Sequence, residues 1–103
     1  SIAAHSPLMQ SVAGEFAAAV DAAPLAPATI PVVANVTAHP VSKPDEVRAE
    51  LKAQLTSPVR WTDSIRYLAA QGVDSYVEAG PGDVLLGLVK RIDREARRIK
   101  FEA

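Results

Sequence analysis

Residues 75–92, with the sequence SYVEAGPGDVLLGLVKRI, contain the pattern that decides the fold. Residues 75–79 are a short run with apolar and aromatic side chains, which predicts a strand. The breakers of residues 80–82, Gly-Pro-Gly, end that strand. From residue 84 onward apolar side chains recur at helical spacing as far as Ile92, which predicts a helix. A strand, a glycine-rich turn and a helix in this order are typical of an α/β fold.

The sequence before this stretch alternates in the same way. Ser6 followed by Pro7 predicts a helix start, and apolar residues at mostly four-residue spacing continue that helix to about Asp21. Residues 30–36, IPVVANV, form a short apolar run between breakers. This run is typical of a strand that is buried on both faces of a parallel sheet.

Two more helices and a final strand complete the predicted order. Ser42 and Asp45 resemble a capping box at the start of a helix that ends before Pro58 and places Glu50 on a solvated face. The next helix begins near Trp61 and ends at Gly72, and residues 98–102 form a last strand. The predicted fold class is therefore α/β, with parallel strands covered by helices. Two or three strands are too few for such a sheet, so we expect the missing strands in sequence that precedes Ser1.

The composition limits the possible classes of function. The 103 residues are 49% hydrophobic, and 11 basic residues against 12 acidic residues give a net charge of −1. This balance argues against a nucleic-acid-binding or membrane-surface protein. The chain has no cysteine, which excludes disulfides and cysteine-based metal sites and suits the cytoplasm. No apolar run is long enough to span a membrane, and no secretion signal is present.

Few residues offer chemistry by their position alone. His5 stands just before a helix start, where it is either a general base or a surface residue beside the cap. His39 lies in a polar loop and is predicted to be exposed. The turn at residues 80–82 is more typical of a structural turn than of a phosphate-binding loop. The basic stretch from Lys90 to Lys100 fits a solvated helix end, or a surface for an acidic protein or a phosphate group. No spacing of ligands predicts a metal site.

Five segments in order resemble the acyltransferases of fatty acid and polyketide synthesis, and among them the malonyl-CoA:acyl carrier protein transacylases. The segments are HSPLM at 5–9, IPVVANV at 30–36, QLTSPVRW at 54–61, AAQGV at 69–73 and EAGPGDVL at 78–85. The resemblance covers nearly the whole chain. It implies that residues 1–103 are the C-terminal part of the large subdomain of the acyltransferase, whose fold is an α/β-hydrolase-like core.

The resemblance also implies a reaction and a set of site residues. In the family, a serine in a Gly-His-Ser-x-Gly segment attacks the thioester of malonyl-CoA, and the histidine matched by His5 takes its proton. The same histidine then protonates the leaving CoA thiol and activates the phosphopantetheine thiol of acyl carrier protein. The family orients this histidine with a backbone carbonyl, which Gln54 matches. Asn35, Gly82 and Val84 match positions near the acyl pocket. No cofactor is implied beyond the two substrates.

The chain lacks the segment with the nucleophilic serine, so we expect it to be inactive without the N-terminal remainder of the same enzyme. Two alternatives are left open at this point. One is an acyltransferase domain of a polyketide synthase, although Ala4 fits neither residue pattern that usually reports its extender unit. The other is a non-catalytic module that binds a carrier protein through the turn at residues 80–82 and the basic C-terminal stretch.

Overall fold

The computed structural model describes residues 7–102, and the side chains from Met9 onward. The chain divides into two compact units after Trp61. The first unit contains helix α1 (Pro7–Ala22), strands β1 (Val32–Val33) and β2 (Pro40–Val41), and helix α2 (Pro44–Gln54). Helix α3 (Trp61–Ala70) begins at the boundary, and the second unit continues with β3 (Ser75–Ala79), α4 (Val84–Ile92) and β4 (Arg97–Phe101).

In the first unit, α1 packs against α2. An ion pair of 2.8 Å joins Lys52 to Asp21, and the guanidinium of Arg48 donates a hydrogen bond of 3.2 Å to the carbonyl of Ala23. Both contacts link the middle of α2 to the C-terminal end of α1. The predicted course of the first helix, from Pro7 to about Asp21, is therefore confirmed to within one residue.

The predicted buried strand at residues 30–36 is wrong. Only Val32 and Val33 are extended, and they pair antiparallel with β2 in a small hairpin. Ile30 and Val32 are 76% and 55% exposed. The strand is short because Pro31 has no amide hydrogen to donate and because the chain turns back at Ala34, whose amide donates to the carbonyl of His39. Pro31 and the β-branched Val32 and Val33 therefore form one side of a hairpin.

In the second unit, β3 and β4 pair in parallel, from Ser75 opposite Arg97 to Ala79 opposite Phe101. Helix α4 connects the two strands and contacts both. Leu86 and Val89 of α4 are buried, with 7% and 2% of their surface exposed. This strand–helix–strand order confirms the predicted elements, and β4 begins one residue earlier than the sequence predicts.

The opposite face of the two strands is exposed. Val77 and Phe101 on that face are 60% and 58% exposed. Parallel sheets are normally covered on both faces, so the exposure of apolar side chains on this face is unusual for a parallel pair of strands. Between residues 7 and 102, no helix combines the length and the apolar character that a membrane span requires.

Candidate functional site

His5, the predicted general base, lies outside the described residues. The other histidine, His39, is exposed, as predicted. Its amide donates to the hydroxyl of Thr37 at 3.3 Å, and its carbonyl accepts the amide of Ala34 at 2.8 Å. His39 is thus part of the hairpin turn. The predicted roles of His5, Gln54, Asn35, Gly82 and Val84 in binding and catalysis stay predictions.

Gln54 is the last residue of α2. Its side-chain amide donates a hydrogen bond of 3.0 Å to Oε2 of Glu50, one helical turn earlier. The backbone carbonyl of Gln54 belongs to the last turn of the helix, where carbonyls lack the regular partner four residues onward. That position is Pro58, which has no amide hydrogen. The regular helical donor to this carbonyl is therefore missing at Pro58.

Asn35 is half-buried in the turn between β1 and β2. Its carbonyl accepts the amide of Arg60 at 2.8 Å, and the guanidinium of Arg60 reaches the carbonyl of Thr37 at 3.3 Å. The amide of Val36 donates to the same Glu50 Oε2 at 3.3 Å. Glu50 thus links the end of α2 to this turn, because its Oε2 accepts from the side chain of Gln54 and from the amide of Val36, the residue after Asn35.

Gly82 and Val84 lie in the second unit, Gly82 in the turn between β3 and α4 and Val84 at the first position of α4. Gly80 and Gly82 have positive φ angles of 122° and 82°. The ammonium group of Lys100 donates to the carbonyl of Gly80 at 2.5 Å and also to the carbonyl of Gly82. The amide of Gly80 donates to the carbonyl of Phe101 at 3.0 Å. Strand β4 therefore fixes the turn that contains Gly82 and precedes Val84.

The N-terminal end of α4 is held from the strand side. Glu78 accepts the amide of Leu86 on its Oε1 at 3.0 Å. Val84 is 71% exposed, so its side chain is accessible at the start of the helix. At the other end of α4, Lys90, Arg91 and Arg94 line an open depression of about 480 Å³. These charges are located at the C-terminal end of the helix, as the sequence predicts.

The surroundings of Glu46 and Tyr76 shift the pKa of each side chain from its ordinary value. The amides of Lys43 and Ser42 donate to Glu46 at 3.0 and 3.1 Å and hold the pKa of its carboxyl below the ordinary value of 4.5. The predicted capping box is therefore shifted by one residue, with Glu46 as the acidic member. In the second unit, burial and the carboxylate of Asp93 raise the pKa of Tyr76 above 10.0.

The sequence did not single out Glu50 or Lys100. Glu50 was expected on a solvated face, but it is only 8% exposed, because α2 turns this face toward the hairpin. A signal was present in the four-residue spacing of Glu50 and Gln54, which places them on one helix face. For Lys100 the deciding feature is the parallel register, which only the structure shows and which sets it opposite Glu78 near the end of β3. Among the described residues, no group of three or more histidine or carboxylate side chains is arranged to hold a metal ion.

Comparison with known proteins supports the sequence motifs. The chain is 40% identical over 95 residues to the malonyl CoA-acyl carrier protein transacylase of Bacillus subtilis strain 168. This match covers 92% of this chain and 30% of that protein. It is 44% identical over 88 residues to the polyketide biosynthesis protein ThaF of Burkholderia thailandensis, covering 85% of this chain and 8% of that protein. No protein-family model matches.

Solved structures agree with these relatives. The malonyl-CoA:ACP transacylase of Synechocystis sp. PCC 6803 superimposes with a TM-score of 0.87 and 34% identity, over 94% of this chain and 33% of that one. Another match is a chain in the solved complex of a holo type II polyketide acyl carrier protein with its malonyl-transacylase. This match has a TM-score of 0.82 and 33% identity, and it covers 96% of this chain and 31% of the matched chain. The predicted fold class is thereby confirmed.

The chain spans about a third or less of the length of the proteins that it matches. Over nearly its own whole length, it is related to the C-terminal part of the malonyl-CoA:acyl carrier protein transacylases.

Proposed function

We propose that this chain is the C-terminal part of an enzyme that transfers a malonyl group from malonyl-CoA to the phosphopantetheine thiol of acyl carrier protein. The observation that carries the proposal is the joint similarity of sequence and backbone to transacylases over more than nine-tenths of the chain. The proposed activity belongs to the whole enzyme. Residues 1–103 supply its general base and part of its acyl pocket.

In the proposed reaction, His5 accepts the proton of a serine hydroxyl as the serine oxygen attacks the malonyl thioester. The imidazolium then donates that proton to the sulfur of the leaving CoA, and a malonyl-serine ester results. In the second half, His5 accepts the proton of the phosphopantetheine thiol while its sulfur attacks the ester. Return of the proton to the serine oxygen completes the cycle, so the reaction needs no cofactor besides its substrates.

The carbonyl of Gln54 is proposed to accept the other N–H of the His5 ring. A neutral carbonyl fixes the tautomer of the imidazole without the large rise in pKa that a carboxylate partner causes. Two structural features support this role. Pro58 removes the amide that would otherwise complete the helical hydrogen bond of this carbonyl, and Glu50 holds the side chain of the same residue.

The remaining proposed contacts belong to the substrates. Asn35, Gly82 and Val84 are assigned to the acyl pocket, and Lys100 fixes the turn that contains Gly82 and precedes Val84. The open, positively charged end of α4 offers a surface for an acidic carrier protein. A related transacylase that was solved in complex with its acyl carrier protein supports a carrier protein as the partner.

A second candidate is the same transfer reaction within polyketide synthesis. It is favoured by the 44% identity to a polyketide biosynthesis protein and by the likeness to a type II polyketide malonyl-transacylase. Both candidates share the base, the serine ester and the carrier thiol. They differ in the carrier protein, so transfer rates to a fatty acid carrier and to a polyketide carrier distinguish them.

Fragment complementation tests the proposal. We expect the isolated chain to transfer no [¹⁴C]malonyl from malonyl-CoA to holo acyl carrier protein above background. Mixing it with a polypeptide that supplies the N-terminal part of a related transacylase, including the nucleophilic serine, is expected to restore transfer. The control is the same mixture with His5→Ala in this chain. Robust transfer by the isolated chain, or equal transfer with the control, would contradict the proposal.

A further inference from the structure

Glu50 is the only buried acidic residue in the part of the chain that the structure describes. Burial of a carboxylate is unfavourable unless hydrogen bonds compensate for the lost water. Glu50 receives two of them on one oxygen, from the amide of Val36 at 3.3 Å and from the side chain of Gln54 at 3.0 Å. Its position is thus defined by specific donors.

The two donors come from segments that are distant in sequence. Val36 follows Asn35 in the hairpin turn, and Gln54 ends α2. The carbonyl of Asn35 is also held by the amide of Arg60, so the turn is fixed from both of its sides. Arg48 and Lys52 of α2 bond instead to Ala23 and Asp21 at the end of α1. Glu50 therefore joins the Asn35 turn directly to the end of α2.

We propose that Glu50 is a positioning residue, which holds the Asn35 turn and Gln54 in the relative geometry that acyl transfer requires. The inference rests on the proposed function, because the roles of Asn35 and Gln54 come from it. Glu50 does not touch the reacting atoms. It acts through the backbone at Val36 and through the side chain of the residue whose carbonyl orients His5.

Removal of the carboxylate is expected to loosen both links at once. A cavity of about 240 Å³ already adjoins Glu50 between α2 and the hairpin, with Val36 and Ala53 in its lining. In Glu50→Ala, water reaches the amide of Val36 and the side chain of Gln54 through this enlarged space. In Glu50→Gln, the amide oxygen occupies the place of Oε2 and accepts the same donors. The pair therefore separates loss of the link from loss of the charge.

The test uses the transacylase polypeptide that contains this chain, with malonyl-CoA and holo acyl carrier protein as substrates. Because misplacement of a reacting group by about 1 Å reduces rates by up to about 100-fold, we expect Glu50→Ala to lower kcat at least about 10-fold. Its KM for malonyl-CoA is expected to change much less, and Glu50→Gln to retain most of the activity. Asp45→Ala is the matched control, because this carboxylate lies on the same helix with 97% of its side chain exposed.

Two further measurements exclude a purely structural effect. Hydrogen exchange of the Val36 amide is expected to accelerate in Glu50→Ala and to stay slow in Glu50→Gln. Gln54→Ala keeps the backbone carbonyl and loses only the side-chain contact. If Glu50 acts partly through that contact, the double variant Glu50→Ala/Gln54→Ala loses less activity than the product of the two single losses predicts.

The outcomes separate this inference from the proposed function. Wild-type polypeptide that transfers no malonyl group would overturn the proposed function and this role with it. Active wild-type enzyme whose Glu50→Ala variant keeps full kcat per folded molecule would overturn the role of Glu50 alone. The same holds if Glu50→Gln is as impaired as Glu50→Ala, because the charge and not the hydrogen-bonded link would then be required.

Discussion

Replacing Gly82 with Ala tests the turn that joins β3 to α4. Gly82 has a φ of 82°, a conformation that an L-residue adopts at a cost of about 1–2 kcal/mol. A methyl group at this position meets no atom within 4 Å, so the backbone conformation alone determines the effect on the folded state. Ala also restricts the unfolded chain, which offsets about 0.4–1 kcal/mol of this cost. The expected net loss of unfolding free energy is about 1 kcal/mol.

Gly87→Ala is the matched control. Gly87 lies within α4, and a methyl group there also meets nothing within 4 Å. Ala is favoured over Gly inside a helix by about 0.5–1 kcal/mol, so this variant is expected to be stabilised. The two substitutions add the same methyl group five residues apart with opposite expected signs.

Urea unfolding followed by circular dichroism measures both effects. With a urea slope of about 1–2 kcal/mol per M for a domain of this size, the midpoints of the two variants are expected to differ by roughly 1 M. A Gly82→Ala variant as stable as the wild-type chain, beside a stabilised Gly87→Ala, would refute the positive φ at Gly82. Instability of both variants would instead contradict the open space around the two positions.

Three other perturbations follow from the structure. Leu86→Ala is expected to cost about 2–5 kcal/mol of unfolding free energy, because the side chain of Leu86 is only 7% exposed. Leu85 is 45% exposed, so Leu85→Ala is expected to cost much less in the same urea assay. Because the pKa of Tyr76 is raised in the folded state, its phenol ionises first in the unfolded chain as the pH rises. The stability that it contributes is therefore retained below pH 10.0 and declines above it. Tyr76→Phe is expected to weaken this decline in pH-dependent thermal melts. The lowered pKa of Glu46 has the opposite effect on pH dependence. Its contribution to the stability of the fold is present above pH 4.5 and disappears as the pH falls through the folded pKa. Glu46→Gln is therefore expected to make this acid-dependent loss of stability smaller in the same melts.

Each of these expectations has a result that contradicts it. Equal losses for Leu86→Ala and Leu85→Ala would mean that α4 does not bury the face described here. Identical alkaline melting curves for the wild-type chain and Tyr76→Phe would exclude the raised pKa as a source of pH dependence. An unchanged acid dependence in Glu46→Gln would show that the amides of Ser42 and Lys43 do not stabilise that carboxylate.

Much of the fold was predictable from local sequence. The course of α1, the end of α3 two residues before Gly72 and the strand–turn–helix of residues 75–92 follow from apolar spacing and breakers, which act over a few residues. The segment 30–36 was predicted wrongly because a short apolar run has the same composition in a buried strand and in a hairpin. The hydrogen bond from Ala34 to His39 decides between them, and apolar spacing does not predict it.

The candidate site was predictable only in part, and for a similar reason. Its proposed residues were found because their motifs resemble a known family, whereas composition and spacing gave only His5 as a candidate base. Glu50 and Lys100 were missed because their contacts span 14 and up to 20 residues in sequence. A glutamate one turn before the end of a helix is usually solvated, and only the packing of α2 against the hairpin turns this one inward.

The proposed role of His5 is the central claim, and turnover by a His5→Ala variant tests it most directly. The measurement is kcat for malonyl transfer to holo acyl carrier protein by the transacylase polypeptide that contains this chain, compared with the wild-type polypeptide. A general base in this position contributes about 100- to 10,000-fold, so a loss of that size is expected with the fold intact. Turnover within a few-fold of wild type would contradict the account and favour a binding role for this part of the molecule.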